Sequence, residues 1–420
     1  MVVATPTDPD AKTYEQVWRA ERRHVLAALA RRHGDPADCE DAVQQALLAA
    51  AEQWPREGMP QSPRAWLVRV ASRRLIDQVR ADEARRRREE VVEQQERALH
   101  GGASRPDPPS EHEPTAVADD TLELMLRCCH PAISPSSRVA LTLRAVGGLT
   151  TREIAAGFLV PEATMAQRIS RARATLAGDG ARFGSPDTEE LAERLAAVRH
   201  VVSVIFTEGH QRSSGDTVVD EAFADEAIRL ARVLRAADPD DPESSGLLAL
   251  LLLTHARAAA RADHAGDLVP LEQQDRTRWD CALIAEGVRL LEECLPAGEV
   301  GPFQLQAAVA AVHAEAACPQ ETDWPQILVL YRMLDRVAPA PATTLALAGA
   351  TAEVEGAAAG LEVLGRIQDE RWHRPYAVRG HLLRRLGDEQ GAREAFATAA
   401  RLTCSVPEQR YLHRLVREPG

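Results

Sequence analysis

The stretch LTTREIAAGFLVPEATMAQRISRARATL, residues 149–176, decides how this chain folds and what it touches. Thr150 or Thr151 can cap a helix whose apolar face is Ile154, Ala155 and Phe158. The break Leu159-Val160-Pro161 follows, and Pro161 with Glu162 opens a second helix. On that helix Met165, Ile169, Ala172 and Leu176 recur at helical spacing and must face inward. The outer face then presents Thr164, Gln167, Arg168, Ser170 and Arg171, with Thr151 and Arg152 at the start of the preceding helix. Two short helices around a tight turn form a helix-turn-helix, whose second helix enters a DNA major groove. Arg and Gln suit that position because each can make two-pronged hydrogen bonds to base edges.

Working outward, a second basic feature lies upstream. In SPRAWLVRVASRRLIDQVR, residues 62–80, the expected buried side is Trp66, Leu67, Val70, Ile76 and Val79. Arg69, Arg73, Asp77 and Arg80 fall along another face, with Arg64 and Arg74 close by. Arginines without matching acids attract phosphates and give salt-sensitive binding. Before this helix, a first segment with Val17, Val25, Leu26 and Leu29 at helical spacing leads through His33-Gly34-Asp35-Pro36 into a helix over 37–54. Pro55, Gly58, Pro60 and Pro63 then break the chain into a loop.

The net charge of −13 argues at first against nucleic acid, but its distribution matters more than its total. Residues 1–183 hold 26 basic and 26 acidic side chains, whereas the remainder holds 24 and 37. Within 56–88, ten arginines stand against four acids, so positive charge is concentrated at the front. The acidic back half would be repelled by DNA and reads as a protein-facing or self-regulating module. Aromatics are only 4% of a chain that is 45% hydrophobic, a composition that favours helices packed through Ala and Leu. No apolar run approaches the roughly 20 residues that span a bilayer. The seven scattered cysteines, with no CxxC pair, fit a reduced cytoplasmic interior.

Residues 100–118 are rich in Gly, Pro and Ser and read as a flexible linker. Helices are expected near 120–129 and 135–146, then the Gly147-Gly148 break. From Asp187 onward the pattern is nearly all helical. In RGHLLRRLGDEQGAREAFATAA the residues Gly380, Leu383, Gly387, Ala392, Phe396 and Ala399 fall at the offsets of a tetratricopeptide helix pair. Ala227, Ala231, Leu234 and Pro239 fit the second helix of another repeat, and Leu248, Ala249 and Leu252 the first helix of the next.

DCEDAVQQALLAAAEQWP, residues 38–55, with the arginine helix and the helix-turn-helix beyond a linker, closely resembles an extracytoplasmic-function RNA polymerase sigma factor. The resemblance extends to a subgroup with a long C-terminal domain of tetratricopeptide (TPR) repeats, through RCCHPAISPSSRVALTLRAVGGLTTREIA (127–155), FLVPEATMAQRI (158–169) and LEQQDRTRWDCALIAEG (271–287). It implies an all-α protein: sigma region two over 12–90, a linker over 91–118, region four over 119–183 and a superhelical regulatory domain over 187–420. It implies that Asp41, Gln44 and Leu47 bind the β′ coiled coil of core polymerase. Arg64, Arg69, Arg73, Arg74 and Arg80 would engage the −10 element, and a flipped base would be captured in the loop near 55–62. Thr151, Arg152, Thr164, Gln167, Arg168, Ser170 and Arg171 would read the −35 element while region four binds the β flap. Promoter DNA and core polymerase are the implied partners, with a regulatory protein or peptide on the C-terminal domain. No membrane, cofactor, metal or catalytic residue is implied. Two departures stand out: His210 replaces an expected aromatic in IFTEGHQRSSG, and TTLALAGATA lacks an expected Asn and Arg.

Other signals read as structural. Cys128-Cys129-His130 has no second ligand pair at zinc spacing, so packing is expected. Asp275-Arg276 and Trp279-Asp280 read as helix caps, an internal ion pair and a packed Trp. His255, His264, His313 and His381 are dispersed, and no phosphate loop or nucleophile elbow occurs. Two alternatives compete: a helix-turn-helix regulator with a TPR sensor, which would bind promoters without polymerase, and a TPR scaffold, which would not need Gln167, Arg168 and Arg171.

Overall fold

The computed structural model describes residues 36–60, 62–75, 117–147, 149–158, 160–178, 188–212, 214–297 and 300–417, together with Val17, Glu21, Val25, Leu26 and Leu29. Helices dominate, as the composition and periodicity indicate. Two compact units emerge: 1–151 with 166–195, and 152–165 with 196–420.

In the first unit, α1 (Pro36–Glu57) buries Cys39, Ala42, Val43, Ala46, Ala50 and Trp54 along one stripe. The helix continues through Pro55, so the break expected there comes two residues later. Proline removes a single backbone donor in the last turn, where the ladder is ending anyway. Gly58, at φ 85°, then turns the chain, and its N–H donates to the Trp54 carbonyl at 2.9 Å. The next helix, α2, covers 63–75 among the described residues. It buries Leu67, Ala71 and Leu75, a row at i, i+4, i+8, while Trp66 and Val70 are half-buried at its flank. Trp66 meets Trp54 edge to face, with ring centroids 5.6 Å apart. Ile76, Asp77, Val79 and Arg80 lie outside the described residues, as does the linker up to residue 116.

Helices α3 (Val117–Cys128) and α4 (Pro135–Ala145) form a hairpin. Arg138 staples its turn, donating from Nε to the Ile133 carbonyl at 2.8 Å and from Nη2 to that of Pro131 at 3.1 Å. Cys128 and Cys129 are both buried, as packing requires. Burial pushes both thiols up, Cys129 to about 12, although Thr142 acts in the opposite direction.

The helix-turn-helix segment comprises α5 (Thr151–Gly157) and α6 (Glu162–Gly178), followed by α7 (Thr188–His210). In the second unit, α8 (Glu221–Ala237) and α9 (Pro242–His255) precede α10 (Cys281–Cys294), α11 (Pro302–Glu315), α12 (Trp324–Val337) and α13 (Pro341–Val354). The unit ends with α14 (Ala357–Leu364), α15 (His373–Arg385), α16 (Glu389–Leu402) and α17 (Val406–Arg417). Prolines that read as breaks in the sequence become helix starts, as at Pro242, because a first-turn proline loses no ladder bond. Asp241, Asp280, Asp323 and Asp388 each cap the helix that follows.

Small residues set the distance between paired helices. Gly380 of α15 lies against the Phe396 ring of α16, and Gly387 takes φ 81° in the turn between them. Ala392, Phe396 and Ala399 are fully buried. On α8, Ala227, Ala231 and Leu234 are likewise buried, and on α9 Leu248, Ala249 and Leu252. Near its end the unit returns to its beginning: β1 (Ser214–Gly215) pairs in parallel with β2 (Cys404–Ser405).

The segment 275–280 departs from expectation in one respect. Asp275 and Asp280 do cap, and Trp279 is buried, but Arg276 makes no ion pair with a carboxylate among the described residues. Its guanidinium instead lies over the Trp279 ring at 4.9 Å and donates to the His313 carbonyl at 2.9 Å and to that of Ala316. Carbonyls at the end of α11 lack helical acceptor roles, so a guanidinium can serve several of them.

Candidate nucleic-acid interface

On α6, Met165, Ile169, Ala172 and Leu176 are between 0 and 4% exposed, so the inward face read from spacing is the buried face. Thr164, Gln167, Ser170 and Arg171 are exposed and Arg168 is half-buried. Pro161 starts the helix, its carbonyl accepting from the N–H groups of Thr164 at 2.9 Å and Met165 at 3.1 Å. On α5, Ile154 and Ala155 are buried, Arg152 is exposed and Thr151 is half-buried. Phe158 was expected on the α5 apolar face. The helix ends at Gly157, however, so Phe158 falls in the turn and meets Phe223 of α8 edge to face at 6.4 Å. The exposed set combines two-pronged donors with hydroxyls over a rigid apolar base, which is the chemistry of groove readout.

On α2, Arg69, Arg73 and Arg74 are exposed. Arg64 differs: it is half-buried, and its Nε donates to Glu21 Oε2 at 2.6 Å. Part of its charge is therefore already answered within the fold. The exposed face of α1 carries Asp41 and Gln44, whereas Leu47 is half-buried beside the core stripe. Leu48 was not singled out from the sequence, yet it is 65% exposed. Its position four residues after Gln44, off the row 39, 42, 46 and 50, was a signal a helical wheel could have given. An exposed leucine between polar neighbours suits a protein contact better than a phosphate contact.

Comparison with known proteins follows the same division. Residues 17–86 match the model of sigma-70 region 2, and residues 123–176 that of sigma-70 region 4. Both surfaces described above fall inside these matches. The chain belongs to the sigma factors, of the extracytoplasmic-function type. Sigma factors of these families bind core RNA polymerase and promoter DNA and direct transcription initiation. This sigma factor is 29% identical over 168 residues to the ECF RNA polymerase sigma factor SigK of Mycobacterium sp. (strain KMS), covering 38% of this chain and 79% of the relative. To the ECF RNA polymerase sigma factor SigJ of Mycobacterium tuberculosis it is 29% identical over 184 residues, covering 43% of this chain and 56% of that one. An uncharacterized protein of Rhizobium meliloti is 39% identical over 408 residues, 95% of each chain, so the two belong to one family over nearly their whole lengths. Residues 194–295 of the sigma factor match a family of unknown function, DUF6596.

Among the described residues no helix is long and apolar enough to cross a membrane, and no group of His, Cys, Asp and Glu is arranged to hold a metal ion.

Proposed function

We propose that this sigma factor docks on core polymerase through Asp41, Gln44 and Leu47, with Leu48 added to that surface. Arg69, Arg73, Arg74 and Arg80, with a lesser part for Arg64, engage the −10 region. Thr151, Arg152, Thr164, Gln167, Arg168, Ser170 and Arg171 read the −35 element. The working division is region two over 12–90, a linker over 91–118, region four over 119–183, and a TPR-like domain over 187–420 that regulates initiation in the cytoplasm by holding a protein or peptide. DNA contacts available only with the opened strand would favour the open state, so binding energy itself drives melting. The observation that carries this reading is α6: a buried apolar row beneath exposed Gln167 and Arg171.

Run-off transcription with purified core polymerase on a promoter library tests it. Wild-type protein gives promoter-specific transcripts, Asp41→Ala loses them by failing to bind polymerase, and Arg168→Ala with Arg171→Ala loses them at the promoter. Deleting residues 187–420 raises the yield if the domain inhibits and lowers it if the domain assists. A chain that never forms a complex with polymerase, with or without residues 187–420, overturns the reading.

A further inference from the structure

The C-terminal unit holds a partly open pocket of about 340 Å³ among α9, α11, α12 and α13. That is the lower end of the range in which proteins hold small molecules, about 300–1,000 Å³. Leu253, Val309 and Leu334 give it apolar walls, and the indole of Trp279 closes one side. None of its lining residues is Asp or Glu. Yet Arg257, just beyond the end of α9, is on the lining, with Tyr331 of α12 near it.

A buried guanidinium ordinarily has a carboxylate or several carbonyls to answer it. Three other arginines of this unit keep the rule: Arg199 pairs with Asp241, Arg212 with Asp220, and Arg276 donates to two carbonyls. Arg257, half-buried on the pocket wall, has neither among the described residues. Burial pushes it down to about 10, and burial likewise pushes the phenol of Tyr331 up to about 12, so that phenol stays neutral and supplies no counter-charge at neutral pH. Arg261, one turn further on and 6% exposed, adds a second positive charge that repels Arg257, and its own Nε has no acceptor among the described residues. Trp279, 6% exposed, likewise has an indole N–H without an acceptor among them. The acidic half of the chain thus holds a pocket lined by one guanidinium, neutral polar groups and apolar side chains, with no carboxylate on the lining.

We propose that this cavity binds a small organic acid, its carboxylate held by the Arg257 guanidinium beside the Tyr331 hydroxyl, and its hydrocarbon body against Leu253, Val309 and Leu334. A guanidinium matches a carboxylate in a two-pronged geometry and supplies the single charge it needs. A phosphate monoester, at about −1.5 to −2, would bring more charge than one lining guanidinium can answer in an apolar pocket. The carboxylate of a free acid and the C-terminus of a peptide share this chemistry; a volume of about 340 Å³, at the lower end of the small-molecule range, favours the free acid. This inference goes beyond the sigma assignment and does not depend on it, because its readout involves neither polymerase nor DNA.

The full-length protein is titrated with sodium octanoate, and Trp fluorescence and thermal unfolding are followed. Octanol and octylamine serve as neutral and cationic matches, inorganic phosphate as an anion without a body, and a leucine-terminated peptide is used as free acid and as amide. Octanoate gives a saturable response and raises the unfolding temperature, and the matches bind far more weakly or not at all. Arg257→Met weakens octanoate roughly tenfold to a hundredfold, the range of a charge-assisted hydrogen bond, without lowering the unfolding temperature of the free protein. Tyr331→Phe, which keeps the ring, weakens it by a smaller factor and guards against a misfolded Arg257 variant. Equal binding of octanol, unchanged octanoate binding in both variants, or no saturation by octanoate at millimolar concentration overturns the proposal. Binding of the peptide acid in preference to octanoate overturns the free-acid assignment.

Discussion

Arg64 and Glu21 join α2 to the first segment of the chain through a 2.6 Å contact between Nε and Oε2. The pair is part-exposed, 40% for Arg64 and 22% for Glu21, so solvent screening limits its worth to about 1 kcal/mol or less. It distinguishes Arg64 from its neighbours. Replacing Arg69, Arg73 or Arg74 by Ala is expected to weaken promoter binding by the holoenzyme and to flatten its salt dependence. The log–log slope should fall by up to about 0.9 for each phosphate that is no longer neutralised. Arg64→Ala should lower the unfolding temperature slightly and change the salt slope less than any of the three. Binding measured across a series of salt concentrations separates the two effects.

The thiols of Cys128 and Cys129 are expected to be inert in the folded protein. Burial raises both, so the reactive thiolate is scarce at neutral pH. Cys281 and Cys404 are exposed and should be the first to react with a thiol reagent, whereas Cys128 and Cys129 should react only after denaturation. The sign for stability follows from linkage. An unfolded thiol loses its proton near 9.0 while the folded one keeps it, so the stabilisation is intact below that pH and lost as pH climbs through 9 toward 12. Unfolding temperatures across alkaline pH, compared with Cys129→Ala, check this.

Much of this was legible because helical periodicity is a strong signal where one face is buried. Met165, Ile169, Ala172 and Leu176 could be assigned inward from spacing alone, and so could Ala392, Phe396 and Ala399. Helix ends were less legible: Phe158 fits the α5 period but lies past the last turn, where a tertiary partner, Phe223, sets its position. The partners of arginines were hidden for the same reason. Arg64 finds Glu21, 43 residues away, and Arg276 finds carbonyls 37 and 40 residues away. No local pattern encodes contacts of that range. The cavity around Arg257 was invisible because its wall comes from four helices with no shared motif.

Gly380 has no room for a side chain. A Cβ there would come within 2.5 Å of the Phe396 ring, which is fully buried and cannot withdraw without disturbing Ala392 and Ala399. Gly380→Ala is therefore expected to destabilise by about 1–3 kcal/mol, the ordinary cost of overpacking. Gly387→Ala has open space but a φ of 81°, so its cost should be nearer 1 kcal/mol, from backbone strain alone. Phe396→Leu should rescue part of the loss in Gly380→Ala and none in Gly387→Ala, which chemical denaturation of the double variants would show.

His210 occupies the place of an expected aromatic and behaves as one, stacking on Phe206 at 5.4 Å with the rings 8° apart. Burial, and then Arg261, Arg257 and His255 around it, hold its imidazole well below the usual histidine range. The unfolded chain therefore binds a proton near 6.5 that the folded chain refuses, so this group's stabilisation is present above that pH and is lost as pH falls. Neither ring nitrogen has a hydrogen-bond partner among the described residues. His210→Phe is expected to raise stability at pH 7 by about 1 kcal/mol or more, through removal of unsatisfied polar atoms. It should also flatten the decline of unfolding temperature between pH 7 and 5; an unchanged slope would assign the acid sensitivity to other groups.

Gln167 and Arg171 are exposed one helical turn apart on α6, and so can reach adjacent base pairs from a single helix lying in the groove. Arg168 is half-buried, so on the proposed reading its share of −35 recognition is a contact to phosphate more than to a base. The three should therefore fail differently. Arg171→Ala and Gln167→Ala are expected to cost about 1–3 kcal/mol each against the preferred −35 sequence and to relax preference at one position of it. Arg168→Ala should weaken all sequences alike and lower the salt slope. Because Met165, Ile169, Ala172 and Leu176 hold the helix without help from these side chains, none of the three substitutions should change the unfolding temperature appreciably. Holoenzyme selection from randomised −35 elements measures all three at once. Uniform weakening by Arg171→Ala and Gln167→Ala, with no change in selected sequence, would mean that α6 grips the backbone and does not read bases.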